Sequence, residues 1–349
     1  MRAVRVKEEG GLVLAEVPVP DPGPGQVLVE VAGAGLCHSD CLLRNAPEVN
    51  GGGPFTLGHE VAGWVEAIGP GVSGVREGDA VLVHCLWGCG QCPACRRGTE
   101  RFCPNTSNRV GPGLGHDGGY ADYVLVPNAR HVLPLGDLDP VDAGPLADAA
   151  LTPYHPMRTR RDSLGPGSVA VVIGVGGLGH MAVQLLRALT PATVVAVELD
   201  QDRRAFALEL GADLALDPAN EATARIKELG WAGATFTLDL VASDATLAMA
   251  AAASAPGGEI VVVGAALGSL PVSLLTTPFE CRVSTTLAGE ANETEELIAL
   301  AQAGRIRVHT EHISLDEVPD HLNRLDSGHG PRGRYVATRQ RTSTRKETS

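Results

Sequence analysis

The sequence predicts an α/β protein in which a doubly wound parallel sheet is joined to a mainly β domain, and three stretches carry that prediction. Residues 169 to 200 read VAVVIGVGGLGHMAVQLLRALTPATVVAVELD: an apolar run, a glycine turn, a helical pattern and a second apolar run ending in acid, the length of one parallel crossover. After Tyr154 strand and helix patterns alternate to about residue 287. Residues 1 to about 32 instead alternate apolar and polar between Pro and Gly turns (VRVKE, LVLAEVPVP, VLVEVAGAG), the pattern of short antiparallel strands.

A chain of 349 residues with 44% hydrophobic content is long enough for two cores. With only 3% aromatics, those cores must be built from Ala, Val and Leu. No apolar run approaches the length that crosses a bilayer, and MRAVRVKEEGG at the N-terminus lacks the apolar segment of a secretory signal, so the expectation is a soluble, cytoplasmic protein. The net charge of −13 argues against a nucleic-acid partner. The last twelve residues, TRQRTSTRKETS, carry four basic groups and one acid, leaving −16 on the rest, and read as a disordered end, with a basic anchor as the alternative.

Taken in order, the first chemically loaded segments are GLCHSD at 35 to 40 and GHEV at 58 to 61. Cys37, His59 and Glu60 mix soft and borderline ligands on loops beside strands, a set suited to zinc. A buried thiol, a core histidine and a surface acid is the alternative these residues alone leave open. Next comes GCGQCPACRRGTERFC, in which Cys89, Cys92, Cys95 and Cys103 follow CxxCxxCx7C spacing. Four thiolates in one short lobe close a tetrahedral shell with no open position, which makes a structural zinc. The spacing also resembles ferredoxin-type ligation. Disulfides fit poorly in a chain without a secretory signal.

The glycine turn fits GxGxxG at Gly174, Gly176 and Gly179, with Gly177 and Leu178 between, and places a pyrophosphate on the N-terminus of a helix from His180 to Leu189. Glu198, 22 positions beyond Gly176, stands where an acid takes both ribose hydroxyls and repels a 2′-phosphate, so NAD is expected over NADP. Arg203 and Arg204 lie just past it, where basic groups can hold a 2′-phosphate, and dual use stays open. Beyond come a helical pattern at 203 to 212, a strand near 235 to 241, an alanine-rich helix at 245 to 254, a strand at 259 to 264 and a last strand near 282 to 287, for a sheet of six.

GLCHSD, GHE, the four-cysteine lobe, DGGYADY at 117 to 123, PLADAALTPYH at 145 to 155 and GVGGLG at 174 to 179 together carry a family resemblance. Over about residues 1 to 337 the chain resembles a zinc-dependent medium-chain alcohol dehydrogenase, and within that family it is similar to the short bacterial secondary- and aryl-alcohol dehydrogenases. The resemblance implies a GroES-like catalytic domain at 1 to 154 with a structural zinc lobe at 85 to 105, and a Rossmann domain at 155 to 288. It also implies a return to the catalytic domain at 289 to 337, with a helix at 293 to 303 and a strand near 334 to 337, and a tail at 338 to 349. Two zinc ions and NAD are implied as cofactors.

By that resemblance the catalytic zinc is held by Cys37, His59 and Asp148, the last standing where many members have cysteine; the alternative for Asp148 is an N-cap for a helix from Ala149. Glu60 is either a fourth ligand or an acid behind the ligands that exchanges with water or substrate. Ser39 would hydrogen-bond the substrate oxygen and pass its proton onward. Some members end that relay with a histidine where this chain has Leu42, which makes His38 the substitute; other members use the His38 position at the pyrophosphate. Leu42, Gly51 and Ala288 would line the substrate pocket, and their small side chains imply room for aryl or bulky secondary alcohols. The implied reaction is reversible hydride transfer between NAD and a secondary or aryl alcohol, or its ketone or aldehyde. A dedicated reductase of a bulky natural-product carbonyl or iminium is the second reading, and a non-catalytic binding module the third, against which the intact ligands and glycine turn argue. The expected partners are a small-molecule substrate and further copies of the chain, a homodimer or homotetramer formed through the strand near 282 to 287; no nucleic acid or membrane is expected.

Overall fold

The computed structural model describes residues 1–8, 10–45, 54–106, 110–219 and 222–339. Gly51 and the end of the tail lie outside the described residues. Contacts divide the chain into two units, one of Met1–Ala147, Thr310–His329 and the residues from Tyr335, the other of Asp148–His309 and Gly330–Arg334.

In the second unit six strands form one sheet in the order Leu214–Leu216, Thr193–Val197, Val169–Ile173, Ala234–Asp239, Ser254–Val262 and Arg282–Thr285. Every pair in it is parallel. The strand Val169–Ile173 is buried along its whole length, as a β-branched run covered on both faces should be. The helix Gly179–Leu189 buries Met181, Ala182, Val183, Leu185 and Leu186. One strand starts earlier than its apolar run suggests: Ser254–Val262 takes in Pro256, Gly257 and Gly258, which read as a turn but are absorbed at a register shift.

The first unit holds a seven-stranded sheet centred on Val27–Gly35, which pairs with Glu60–Ile68 on one side and Arg334–Thr338 on the other. Its core is a single cluster that includes Val29, Val31, Leu36, Leu57, Val61, Tyr120 and Tyr335. Glycine permits the close approach at the working end of the sheet: a Cβ on Gly35 would strike the Glu60 carboxylate.

The chain passes between units at Ala147/Asp148 and again at Thr310, not at 155 and 289 as the sequence suggested. The helix Ala291–Gln302, expected with the catalytic domain, belongs to the second unit because the helix Leu151–Arg160 holds it there. Tyr154 and Arg158 bind Glu296, and His155 Nδ1 lies 2.8 Å from Glu293. Such links between two helices leave no trace in the periodicity of either. Among the described residues no helix is long and apolar enough to cross a membrane.

Candidate functional site

The four cysteines come together within one lobe of the first unit. Cys92 caps the short helix Pro93–Arg96, Cys95 lies inside it, and Cys103 follows the 3-10 turn Glu100–Phe102. The sulfur separations are 3.5 Å for Cys92–Cys95, 3.8 Å for Cys92–Cys103 and 3.9 Å for Cys89–Cys95. A tetrahedral zinc with bonds of about 2.3 Å sets its sulfurs about 3.8 Å apart; a disulfide would need about 2.05 Å. The lobe therefore fits one ion, and all eight cysteines of the chain are free thiols. Amide donors face the sulfurs, with Cys92 N 3.4 Å from Cys89 Sγ and Cys95 N 3.5 Å from Cys92 Sγ. The Gln91 amide, then the Asn105 side chain, pulls the Cys89 thiol down to about 6, whereas burial pushes Cys95 up to about 12. Arg130 ties the lobe down by binding Glu100 and the Gly88 carbonyl.

The second cluster is assembled from two strand ends. The antiparallel register sets Gly35 opposite Glu60, so Cys37, two residues beyond one strand, and His59, just before the other, lie at the same end of the sheet. The donor atoms of Cys37, His59 and Glu60 all lie within 4.8 Å of one another, and the three residues are 6%, 4% and 0% exposed. A thiol, an imidazole and a carboxylate converging in a buried place match the donor chemistry of a zinc site. The bland alternative of a surface acid at 60 is removed by that burial.

Asp40 and Tyr120 were not singled out from sequence as functional residues of this unit. Asp40 is fully buried; its Oδ2 accepts from Cys37 N at 3.0 Å and from the Tyr120 hydroxyl at 2.6 Å, and its Oδ1 is 3.3 Å from His59 Nδ1. This last pair is at ion-pair distance without the alignment of a full hydrogen bond. A carboxylate on Nδ1 leaves Nε2 for a metal. The spacing of Cys37 and Asp40 at the start of the helix His38–Leu43 was a readable signal, since an acid three residues into a helix reaches back to the entering amide. Of the other residues expected here, Ser39 is half-buried, His38 is exposed and Leu42 is 43% exposed.

Asp148 is the first residue of the second unit, one peptide bond beyond Ala147. Ala147 ends a 3-10 turn whose Gly144 packs against the backbone of Glu60 and Gly33. Asp148 caps no helix: the helix begins at Leu151 with Ala150 as its N-cap, and Asp148 Oδ1 accepts from the Thr152 hydroxyl at 2.7 Å.

In the second unit the glycine turn has the expected division of labour. Gly174 adopts φ +89°, and a Cβ there would meet Val241 at 2.8 Å; a Cβ on Gly179 would strike the Gly174 carbonyl. Gly176, by contrast, has nothing within 4 Å of the missing Cβ, an open cradle at the start of an eleven-residue helix. A dinucleotide pyrophosphate fits there against unpaired amides. Leu178 is the N-cap of that helix. Glu198 is anchored over the turn, its Oε2 accepting from Val175 N at 2.8 Å and its Oε1 from Asp200 N at 3.1 Å.

Arg203, expected at the cofactor, places Nη2 on the Gly330 carbonyl at 2.9 Å, and Arg204 Nη1 binds the carbonyls of Glu198 and Leu199 at 2.7 and 2.6 Å. In this unit the residue not singled out from sequence is Arg334. It is 5% exposed, occupies the space a Cβ on Gly177 would need, and stands 3.6 Å from Asp148 Oδ2. Ala288, buried, holds the left-handed φ of +49° that non-glycine residues seldom adopt.

Residues 23–137 match the alcohol dehydrogenase GroES-like domain and residues 177–303 the zinc-binding dehydrogenase domain. An NAD-dependent alcohol dehydrogenase of Sulfurisphaera tokodaii is 34% identical over 341 residues, 94% of this chain and 97% of its own. The crystal structure of the alcohol dehydrogenase from Aeropyrum pernix matches with a TM-score of 0.89 at 34% identity, over 97% of this chain and all of that one. The acetophenone reductase of Geotrichum candidum, solved in complex with NAD, matches with a TM-score of 0.83 at 28% identity over 97% of each chain. Two ligand clusters, an open glycine cradle and these matches along nearly the full chain place it in the zinc-dependent medium-chain alcohol dehydrogenase family.

Proposed function

We propose that this zinc- and NAD-dependent alcohol dehydrogenase works on secondary and aryl alcohols and, in reverse, on their ketones or aldehydes. The observation that carries the reading is the buried convergence of Cys37, His59 and Glu60. Zinc at that set would polarise the substrate oxygen, and NAD would accept the hydride from the carbon that bears it. Cys37, His59 and Asp148 would hold the metal, and the Thr152 hydroxyl donates to the Asp148 carboxylate. Glu60 would serve either as a fourth ligand or as an acid behind the ligands. Support for Asp148 comes from its backbone, fixed one bond beyond Ala147, itself fully buried.

Ser39, half-buried on the helix that Cys37 opens, takes the proton of the substrate hydroxyl, and exposed His38 delivers it to water. Gly174, Gly176, Gly177, Leu178 and Gly179 cradle the pyrophosphate, with Arg203 at its margin, and Glu198 binds the ribose. With Arg204 Nη1 turned onto main-chain carbonyls, the Glu198 charge opposes any 2′-phosphate, which favours NAD. Leu42 and Ala288 remain the proposed substrate contacts; similarity to an acetophenone reductase supports aryl substrates.

A second copy of the chain is the proposed partner at the edge strand Arg282–Thr285. That strand is exposed throughout, and Val272, Leu274, Leu275 and Phe279 just before it are at least 65% exposed, a row that pairing would cover. Light scattering that finds a monomer would remove this partner. Eight free thiols support a reducing, cytoplasmic setting.

The test is NAD reduction by the purified enzyme across small secondary, bulky secondary and benzylic alcohols, repeated with Cys37→Ala. Turnover led by the aryl and bulky alcohols and lost in the variant is expected. Turnover on none of them, with NAD still bound, would move the reading to a dedicated carbonyl or iminium reductase.

A further inference from the structure

The motif DGGYADY at 117 to 123 has no part in the functions assigned so far, yet the structure puts its tyrosine behind the buried metal cluster. Tyr120 is fully buried 80 residues beyond Asp40 in the chain. Its backbone is held at both ends, the amide on the Leu57 carbonyl at 2.9 Å and the carbonyl accepting from Val4 N at 2.8 Å. Its ring lies over Gly58, the residue before His59. A Cβ on Gly58 would come within 2.7 Å of the ring, and Gly58 has φ +99°. The two glycines before the tyrosine serve the same approach, since a Cβ on Gly118 would be 2.4 Å from the Gly58 carbonyl and one on Gly119 would be 2.4 Å from Val61. The motif is thus a device for laying one phenol against the backbone that carries His59.

The phenol has two acceptors within reach, the Asp40 Oδ2 at 2.6 Å and the Gly35 carbonyl at 3.0 Å, and the shorter contact is to the charged one. The Cys37 amide donates to the same oxygen at 3.0 Å. Two donors fixed to the scaffold therefore hold Oδ2. The rotation of the carboxylate about its last bond is set by them, and Oδ1 is the oxygen left facing His59 Nδ1 at 3.3 Å.

We propose that Tyr120 is a positioning residue for the metal cluster: by holding Oδ2 of Asp40 it presents Oδ1 to His59, fixing the imidazole with Nε2 as the ligating nitrogen. The proposal rests on the reading of Cys37, His59 and Glu60 as a metal site. It is distinct from a packing role, because it acts through one hydroxyl and through one acceptor.

The test counts zinc in the full-length enzyme during titration with a chelator. The four-cysteine lobe of the same molecule serves as the internal reference. Wild type is expected to hold two ions per chain. Tyr120→Phe, which keeps the ring, is expected to release the ion of the Cys37 cluster at chelator concentrations on the order of ten- to a hundredfold lower, with the lobe ion unmoved. Asp40→Asn supplies the sharper readout. With the tyrosine and the Cys37 amide selecting the amide oxygen at the Oδ2 position, the NH2 group is turned toward Nδ1, the wrong partner for an imidazole that ligates through Nε2. Asp40→Asn should therefore lose that ion at least as readily as Tyr120→Phe. In the double variant the amide is freed from one of its two donors, so the double variant should lose the ion no more readily than Asp40→Asn alone. Unchanged retention in Tyr120→Phe, or losses that multiply in the double variant, would overturn the proposal. If Tyr120→Phe does not fold, retention in Asp40→Asn equal to wild type overturns it instead. A single ion per chain in wild type would overturn the metal-site reading itself, and this proposal with it.

Discussion

The two clusters of the first unit differ in how they are built, and the difference separates holding a metal from using one. Cys89, Cys92, Cys95 and Cys103 fall within fifteen consecutive positions and present four like ligands, three of them buried and Cys89 exposed. Cys37, His59 and Glu60 come from two strand ends, present three unlike donors, and lie under 7% exposed with Asp40 and Tyr120 packed behind them. A local set of four thiolates closes its own shell; a buried mixed set depends on the whole sheet, and a set of three protein ligands leaves a fourth position for substrate.

The largest expected break in this comparison is Cys37→Ala. It should lower kcat by about a thousandfold or more, the several kcal/mol that a Lewis acid contributes, while metal analysis still finds the lobe ion. Loss of both ions would mean the clusters are not independent. Cys103→Ser should do the converse: the lobe ion is lost and Tm falls by roughly 5–10 °C, with kcat per folded molecule within about twofold of wild type. A collapse of kcat in the folded variant would show that the lobe takes part in the reaction.

Acid sharpens the contrast from a neighbouring site. His131, stacked on Trp87 just ahead of the lobe, is pushed down to about 3, first by burial and then by Arg130. Its ordinary value is about 6.5, so below that pH the unfolded chain binds a proton the folded one refuses. The stability this neutral histidine confers is whole above about 6.5 and is lost as pH falls toward 3, about 2 kcal/mol by pH 5. Urea midpoints at pH 7 and pH 5 should therefore converge in His131→Leu, and an unchanged gap would assign the acid sensitivity elsewhere. The smallest effect is kinetic: in metal-stripped enzyme Cys89, held down to about 6 by its amide donors, should be alkylated first and Cys95 last, as read by mass spectrometry of the peptides.

What could be read from sequence follows the same division. The lobe and the glycine turn lie in short segments whose spacing alone states their geometry, and the structure opens the cradle at Gly176 that the fingerprint requires. Cys37, His59 and Glu60 were legible as residue types, but their meeting depends on the register of Gly35 with Glu60. Tyr120 and Arg334 escaped because nothing local marks them; one acts 80 residues away, the other beside Gly177 from near the end of the chain. The unit boundary was misplaced for a related reason, since His155 and Arg158 recruit Ala291–Gln302 through side-chain pairs that no pattern of apolar residues records.

The strand Arg334–Thr338 has a further consequence, in time. It pairs with Val27–Gly35, and Leu36 donates to the Tyr335 carbonyl at 2.9 Å immediately before Cys37. On a ribosome Cys37 is made roughly three hundred residues ahead of that partner, an interval of about 15–60 s at ordinary elongation rates. The four ligands of the lobe lie within fifteen residues, and Asn105 and Arg130, which bind the lobe, follow soon after them in the chain. The Cys37 cluster reaches its final backbone only once Arg334–Thr338 has been made, so the ligands of the lobe are all in place long before the frame of the second cluster is complete.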